Sequence, residues 1–129
     1  MPVSVFVYGT LKRDAPGQRH RLLRDAMFVR NASVGGILYD LGRYPGLVQT
    51  SGNGHRVVGE LYEVPDDIAP QVLNELDRYE GRGFARRRVF VRLANGQRRA
   101  AWTYVIRGHP PKSARQVDSW QQTGRRGAA

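Results

Sequence analysis

The chain contains no cysteine. That absence removes disulfide frameworks, thiol nucleophiles and thiolate-held zinc or iron–sulfur sites. Histidine is scarce too: His20, His55 and His109 lie scattered and make a poor metal cage, so redox and most metal chemistry drop out and no cofactor is implied. No apolar run approaches the ~20 residues of a membrane span. The opening Met1-Pro2-Val3-Ser4-Val5-Phe6-Val7-Tyr8 has no positive stretch, long apolar stretch or small-residue cleavage site, so it does not read as a signal peptide. The expectation is a cytoplasmic protein without a membrane partner, a point on which the missing cysteine is neutral.

Acidic residues are also few, 11 against 21 basic ones, for a formal charge of +10, and all but two of the basic residues are Arg. The excess is uneven. Arg82 to Val117 holds nine Arg and one Lys and not one Asp or Glu, which predicts a basic face able to meet nucleic acid. Charges on alternate strand positions ordinarily make only a solvated face, and codon usage alone can raise arginine. No stacking-aromatic motif accompanies these arginines in the sequence, so any nucleic-acid association is expected to be weak and non-specific.

The rest of the composition is that of a folded domain. Hydrophobic residues make up 40% and charged residues 25% of 129 residues, enough for one core and too little chain for a second full domain. Val3 to Tyr8 is β-branched and aromatic and predicts a strand ending at Gly9. Thr10 to Pro16 reads as a loop and Gln18 to Ala26 as a short helix past Pro16 and Gly17. Phe28 to Leu41 reads as a strand bent or bulged at Gly35-Gly36. Turns are expected at Gly42 with Tyr44-Pro45-Gly46 and at Ser51 to Gly54. Val57 to Val64 is the clearest strand. Asp66-Asp67 then should cap a helix in which Ile68, Val72, Leu73 and Leu76 recur at helical spacing through Tyr79. Arg86 to Leu93 and Arg98 to Ile106 flank Ala94-Asn95-Gly96-Gln97, a hairpin signal. Residues 1–108 form the expected domain, and 109–129 a polar, basic tail, partly disordered or packed locally around Trp120. Strands so outnumber helices that the class is α+β, mixed or antiparallel and barrel-like.

Two places can carry chemistry. At Tyr8-Gly9-Thr10-Leu11 a strand breaks at Gly, and free backbone amides there would suit a carboxylate or a developing oxyanion; strands also end at Gly without any such role. At Leu76-Asp77-Arg78-Tyr79-Glu80-Gly81, Glu80 falls on the apolar face if the helix persists. Burial would then raise its proton affinity toward the range of a general base. If the helix instead ends near Arg78, Glu80 lies in a solvated turn, which the pattern alone favours. Asp77 reads as a surface partner of Arg78 or Arg82. Glu60, Glu63 and Glu75 read as ordinary strand-face or helix-surface acids.

Four blocks taken together carry a resemblance. Val5-Phe6-Val7-Tyr8-Gly9-Thr10-Leu11-Lys12, then Gly36 to Gly42 with Tyr44-Pro45-Gly46-Leu47, then Val58 to Val64, then Leu76 to Gly81 resemble, in order and spacing over about residues 3 to 107, the γ-glutamylcyclotransferase and AIG2-like family. The resemblance implies a small mixed β-barrel with flanking short helices. It implies a substrate loop at Tyr8, Gly9, Thr10 and Leu11, and a catalytic carboxylate at Glu80. It also implies a small γ-glutamyl substrate cyclised to 5-oxoproline with release of its amine, and no cofactor; a monomer or weak dimer is expected. The chain departs from the family where a Tyr usually precedes an Arg and a Val-x-Val strand: here stand Phe84-Ala85-Arg86-Arg87-Arg88-Val89. The amine half of the substrate is left open. A non-catalytic small-ligand barrel and an RNA-binding module are the alternatives from other classes.

Overall fold

Side chains on successive strand residues point to opposite faces; burial alternates plainly over residues 32–38 and 89–93, whereas residues 5–8 and 59–62 are buried on both faces. The computed structural model describes residues 2–9, 23–50 and 54–117. These form β1 (Val3–Val7), β2 (Met27–Asp40), β3 (Pro45–Gln49), β4 (Arg56–Val64), α1 (Ala69–Glu80), β5 (Phe84–Leu93), β6 (Arg98–Ile106) and β7 (Arg115–Val117). The order β2-β4-β1-β6-β5 closes on itself through a β5–β2 pairing at Leu93↔Ala32 and Arg92↔Ser33. The result is a five-stranded mixed barrel, antiparallel except where β1 runs parallel to β6 at Val5↔Trp102. The fold class read from the sequence is the one observed.

β2 serves two neighbourhoods. Its first part pairs with β4 as far as Gly35↔Arg56, and from Gly36 onward it pairs with β3 on one side and, at Leu38 to Asp40, with β7 on the other. The register shift falls between Phe28 and Arg30 rather than at Gly35-Gly36, where the strand changes partner instead. The turn expected at Pro45-Gly46 is the start of β3; a proline is tolerated as the first residue of an edge strand. Arg115–Val117, within the stretch expected as a tail, forms β7.

Two apolar clusters follow from the alternation. Phe6, Tyr8, Val34, Val57, Leu61, Val89, Val91 and Ala101 fill the barrel. Val5, Val7, Tyr62, Val64 and Tyr104 face outward and are covered by α1 through Ala69 and Leu76. That helix does not take its expected Asp cap: residues 66–68 form a turn closed by the Ile68 amide on the Pro65 carbonyl at 3.2 Å, and Ile68 is the N-cap without a side-chain bond. Pro70 in the first turn has no N–H for a cap to satisfy.

The outer face of β5 and β6 stays open. Arg88 lies opposite Trp102, Phe90 opposite Ala100 and Arg92 opposite Arg98. Phe90 is 66% exposed. The arginines therefore do have aromatic neighbours, contrary to the sequence reading, because Phe90 and Trp102 sit on different strands and only the register aligns them. Leu23 to Ala26, expected to end a helix, forms a turn. The expected Thr10–Pro16 loop, the start of that helix, the Ser51 to Asn53 turn and the segment around Trp120 lie outside the described residues. Among the described residues no helix is long and apolar enough to cross a membrane.

Gly59 marks a close backbone approach in the barrel wall. A Cβ there would collide with the Val7 carbonyl oxygen and press on the Phe6 ring, whereas one on Gly54 would meet nothing. Gly59→Ala should destabilise the fold by about 1–3 kcal/mol, with Gly54→Ala nearly neutral, as read from the midpoints of denaturant unfolding.

Candidate active site

Helical geometry decides where Glu80 goes. Ala69, Leu76 and Glu80 are the buried residues of α1, spaced so that they share one face. The helix reaches Glu80 instead of fraying at Arg78, and Gly81, at φ 82°, closes it by donating its amide to the Asp77 carbonyl at 3.1 Å. Only glycine adopts that backbone freely. Glu80 as a whole is 7% exposed.

Tyr8 lies at the end of β1, fully buried, and its hydroxyl donates to the Tyr104 backbone carbonyl at 2.7 Å. Burial first and then the negative charge of Glu80 push the Tyr8 phenol well above its ordinary pKa, against a hydrogen bond with the Leu47 backbone. Tyr104, on β6, donates its hydroxyl to Asp77 Oδ1 at 2.6 Å. Its pKa is raised by burial, then by that bond and by the Asp77 charge; Arg86 opposes the shift and Glu80 adds to it. Arg86 Nε lies 3.1 Å from the same Asp77 oxygen. One end of the barrel thus gathers a buried carboxylate, two phenols held protonated and an Asp–Arg pair.

Of the residues expected from the sequence, Glu80 and Tyr8 come together, and Gly9, buried, follows Tyr8 directly. Thr10 and Leu11 lie outside the described residues. Asp77 does not pair with Arg78 or Arg82 as expected; it serves Tyr104 and Arg86, because three residues before Glu80 it shares that side of the helix. Tyr104 was missed. The Phe84-Ala85 departure removes a hydroxyl from β5, yet Tyr104, the cross-strand partner of Arg86, brings a phenol to this end of the barrel. Phe84 packs against Tyr44, with ring centroids 5.8 Å apart.

Other acids are placed differently. Glu63 pairs with Arg99 at 3.0 Å, and Glu75 accepts a long hydrogen bond from Gln71. Glu60, expected on an ordinary strand face, is buried and accepts from the Tyr62 hydroxyl at 3.1 Å. Among the described residues no group of three or more His, Asp or Glu is placed to hold a metal. A cleft of about 330 Å³ lies between Asp40 to Gly42 and residues 111–115 and includes none of the residues gathered around Glu80.

The profile of the gamma-glutamyl cyclotransferase, AIG2-like family matches residues 5–122. The chain belongs to this family. It is 34% identical over 104 residues to the gamma-glutamylcyclotransferase family protein YtfP of Escherichia coli K12, covering 80% of this chain and 81% of that one. It is 40% identical over 86 residues to the gamma-glutamylaminecyclotransferase of Bos taurus; that match takes in 59% of this chain and 47% of the bovine protein, so the chain spans under half of that relative. The crystal structure of an AIG2-like protein from Mus musculus superposes with a TM-score of 0.78 at 26% identity, covering 99% of this chain and 96% of that one. In the cyclotransferase barrel of this chain the two tyrosines retain protons in the fold that they would release when unfolded. Stability should be full below about pH 10, the unfolded tyrosine value. It should decline as the pH rises further, because the unfolded chain then sheds protons that Tyr8 and Tyr104 keep. Melting temperatures across alkaline pH would show the decline, and Tyr104→Phe should flatten it.

Proposed function

We propose that this protein cyclises a γ-glutamyl compound to 5-oxoproline as a cytoplasmic enzyme, with Glu80 as general base and then general acid. One observation supports this more than any other: α1 carries a carboxylate to the buried end of the barrel, beside Tyr8 and Tyr104. The α-amine of the substrate attacks its own γ-carbonyl carbon, closing a five-membered lactam. Glu80 takes the proton the ammonium must lose and delivers it to the departing nitrogen as the amide C–N bond breaks. The attacking nitrogen gives up a second proton as the lactam N–H forms, the released amine takes it up as its ammonium, and no atom changes oxidation state, so the chemistry calls for no redox group. Most of the acceleration comes from holding one molecule folded on itself, and proton transfer adds about 10²–10⁴-fold.

The backbone amides of Gly9, Thr10 and Leu11 are assigned to hold a substrate carboxylate or the oxyanion. Arg86, half-buried and fixed by Asp77, is the cation near this end for a second acidic group of the substrate. A γ-glutamylamine is the first substrate to try, since a relative that shares 40% identity bears that name.

The experiment is incubation with a panel of γ-glutamyl amines, peptides and amino acids, with 5-oxoproline read by mass spectrometry. Glu80→Gln keeps the shape and removes the base, and turnover should fall about 10²-fold or more while the fold survives. Glu63→Gln and Glu75→Gln should change turnover little. Near-normal turnover in a folded Glu80→Gln protein overturns the assignment. A crystal soaked with product should place a ligand oxygen within about 3 Å of at least one amide between Gly9 and Leu11; a ligand bound elsewhere refutes that loop's role.

A further inference from the structure

The outer face of β5 and β6 alternates charge and ring in rows across the two strands. Moving away from the Asp77 end, Arg88 faces Trp102, Phe90 faces Ala100, and Arg92 faces Arg98. The Arg88 guanidinium lies 5.9 Å from the centre of the Trp102 ring, and that of Arg98 lies 5.8 Å from the centre of the Phe90 ring. Among the described residues no carboxylate pairs with Arg88, Arg92 or Arg98. The charge row extends beyond these two strands. Ser33 on β2 is the register partner of Arg92, and Arg56 on β4 holds Ser33 through its hydroxyl and its carbonyl, both at 2.9 Å. Burial, then the charges of Arg92 and Arg98, lower the pKa of the Arg56 guanidinium from its ordinary value.

Like charges gathered around an exposed ring, with no acid among them, leave both an electrostatic and an apolar demand unmet at one surface. Phosphate answers the first and the face of a base answers the second. A duplex offers phosphates but hides its base faces, whereas a single strand offers both. We propose that the outer face of β5 and β6 docks single-stranded nucleic acid, with Phe90 and Trp102 as stacking platforms and Arg88, Arg92 and Arg98 as phosphate partners. Arg guanidinium planes beside the rings extend the stacking surface. This reading is independent of the cyclotransfer proposal, since none of its five residues is assigned to that reaction.

The test is fluorescence anisotropy on the full chain at physiological salt. It uses a mixed-sequence single-stranded RNA of about 16 nucleotides, a length suited to a single binding face, with the matching duplex and inorganic polyphosphate as competitors. The single strand should bind more tightly than the duplex. Log affinity should fall with log salt at a slope near −2, about −0.7 for each of three phosphate contacts. Phe90→Ala, which removes an exposed ring and should melt like the wild type, is expected to weaken single-strand binding about 5- to 150-fold, the equivalent of one stacked base. The same variant should leave polyphosphate binding unchanged. The double variant Arg92→Gln with Arg98→Gln should weaken both ligands and reduce the slope by about 1.4. Unaltered single-strand affinity in Phe90→Ala, or equal competition by duplex and polyphosphate, overturns the proposal and leaves only a charged surface. Binding to anionic vesicles with none to the single strand overturns it in favour of a membrane.

Discussion

The parallel seam between β1 and β6 is the joint on which this barrel depends. Every other neighbouring pair is antiparallel, and the seam's register rests on Val5↔Trp102 alone. Side chains complete it: Thr103 Oγ1 donates to the Phe6 carbonyl at 2.9 Å, and the Tyr8 hydroxyl donates to the Tyr104 carbonyl at 2.7 Å. Each satisfies a main-chain acceptor buried where water cannot reach, and losing such a partner costs about 1–3 kcal/mol. The second bond matters beyond closure. It fixes the Tyr8 phenol beside the strand that carries Tyr104, so the joint that closes the barrel also orders the candidate site.

With the seam fixed, the helical period does the rest. Leu76 must sit on the buried face of α1 because it belongs to the outer apolar cluster that includes Val5, Val7 and Tyr62. Once it does, the residue four later points the same way, and Glu80 has no solvent-facing alternative while the helix persists. Gly81 ends the helix only after that residue, in a backbone conformation that any other residue would adopt at a cost. The carboxylate is thus delivered to its buried place by packing forces that act on its neighbours.

Most of the barrel was legible in the sequence because alternation is a local signal. Val57 to Val64 and the Asn95-Gly96 hairpin declare themselves within a few residues. β7 did not, since three residues with one apolar side chain have no period to read; it exists because the edge of β2 from Leu38 to Asp40 offers it unpaired backbone. Pro45-Gly46 carried a turn composition and became an edge strand for a similar reason, a long-range partner overriding local chemistry. In the site, Tyr8 and Glu80 were legible through the resemblance, and the helical spacing allowed Glu80 to be buried without requiring it. Tyr104 was not legible. Its position opposite Arg86 depends on the β5–β6 register, and its bond to Asp77 depends on where α1 crosses β6.

One strand, β6, turns toward two chemistries within three residues. Tyr104 points its hydroxyl to Asp77, while Trp102 offers its ring to Arg86 at 4.8 Å and to Arg88 farther along. Both belong to the outward set of β6, so what separates them is only whether α1 covers that stretch. Arg86 stands at the boundary, its Nε on the Asp77 carboxylate and its guanidinium over the Trp102 ring. Only a planar cation can use its edge for hydrogen bonding and its face for stacking together, so lysine could not substitute. The pair is partly exposed, which limits its worth in stability. Its value lies in direction: a guanidinium held on two sides cannot swing away, and the positive charge of the outer face is carried, in a defined orientation, to the edge of the candidate site.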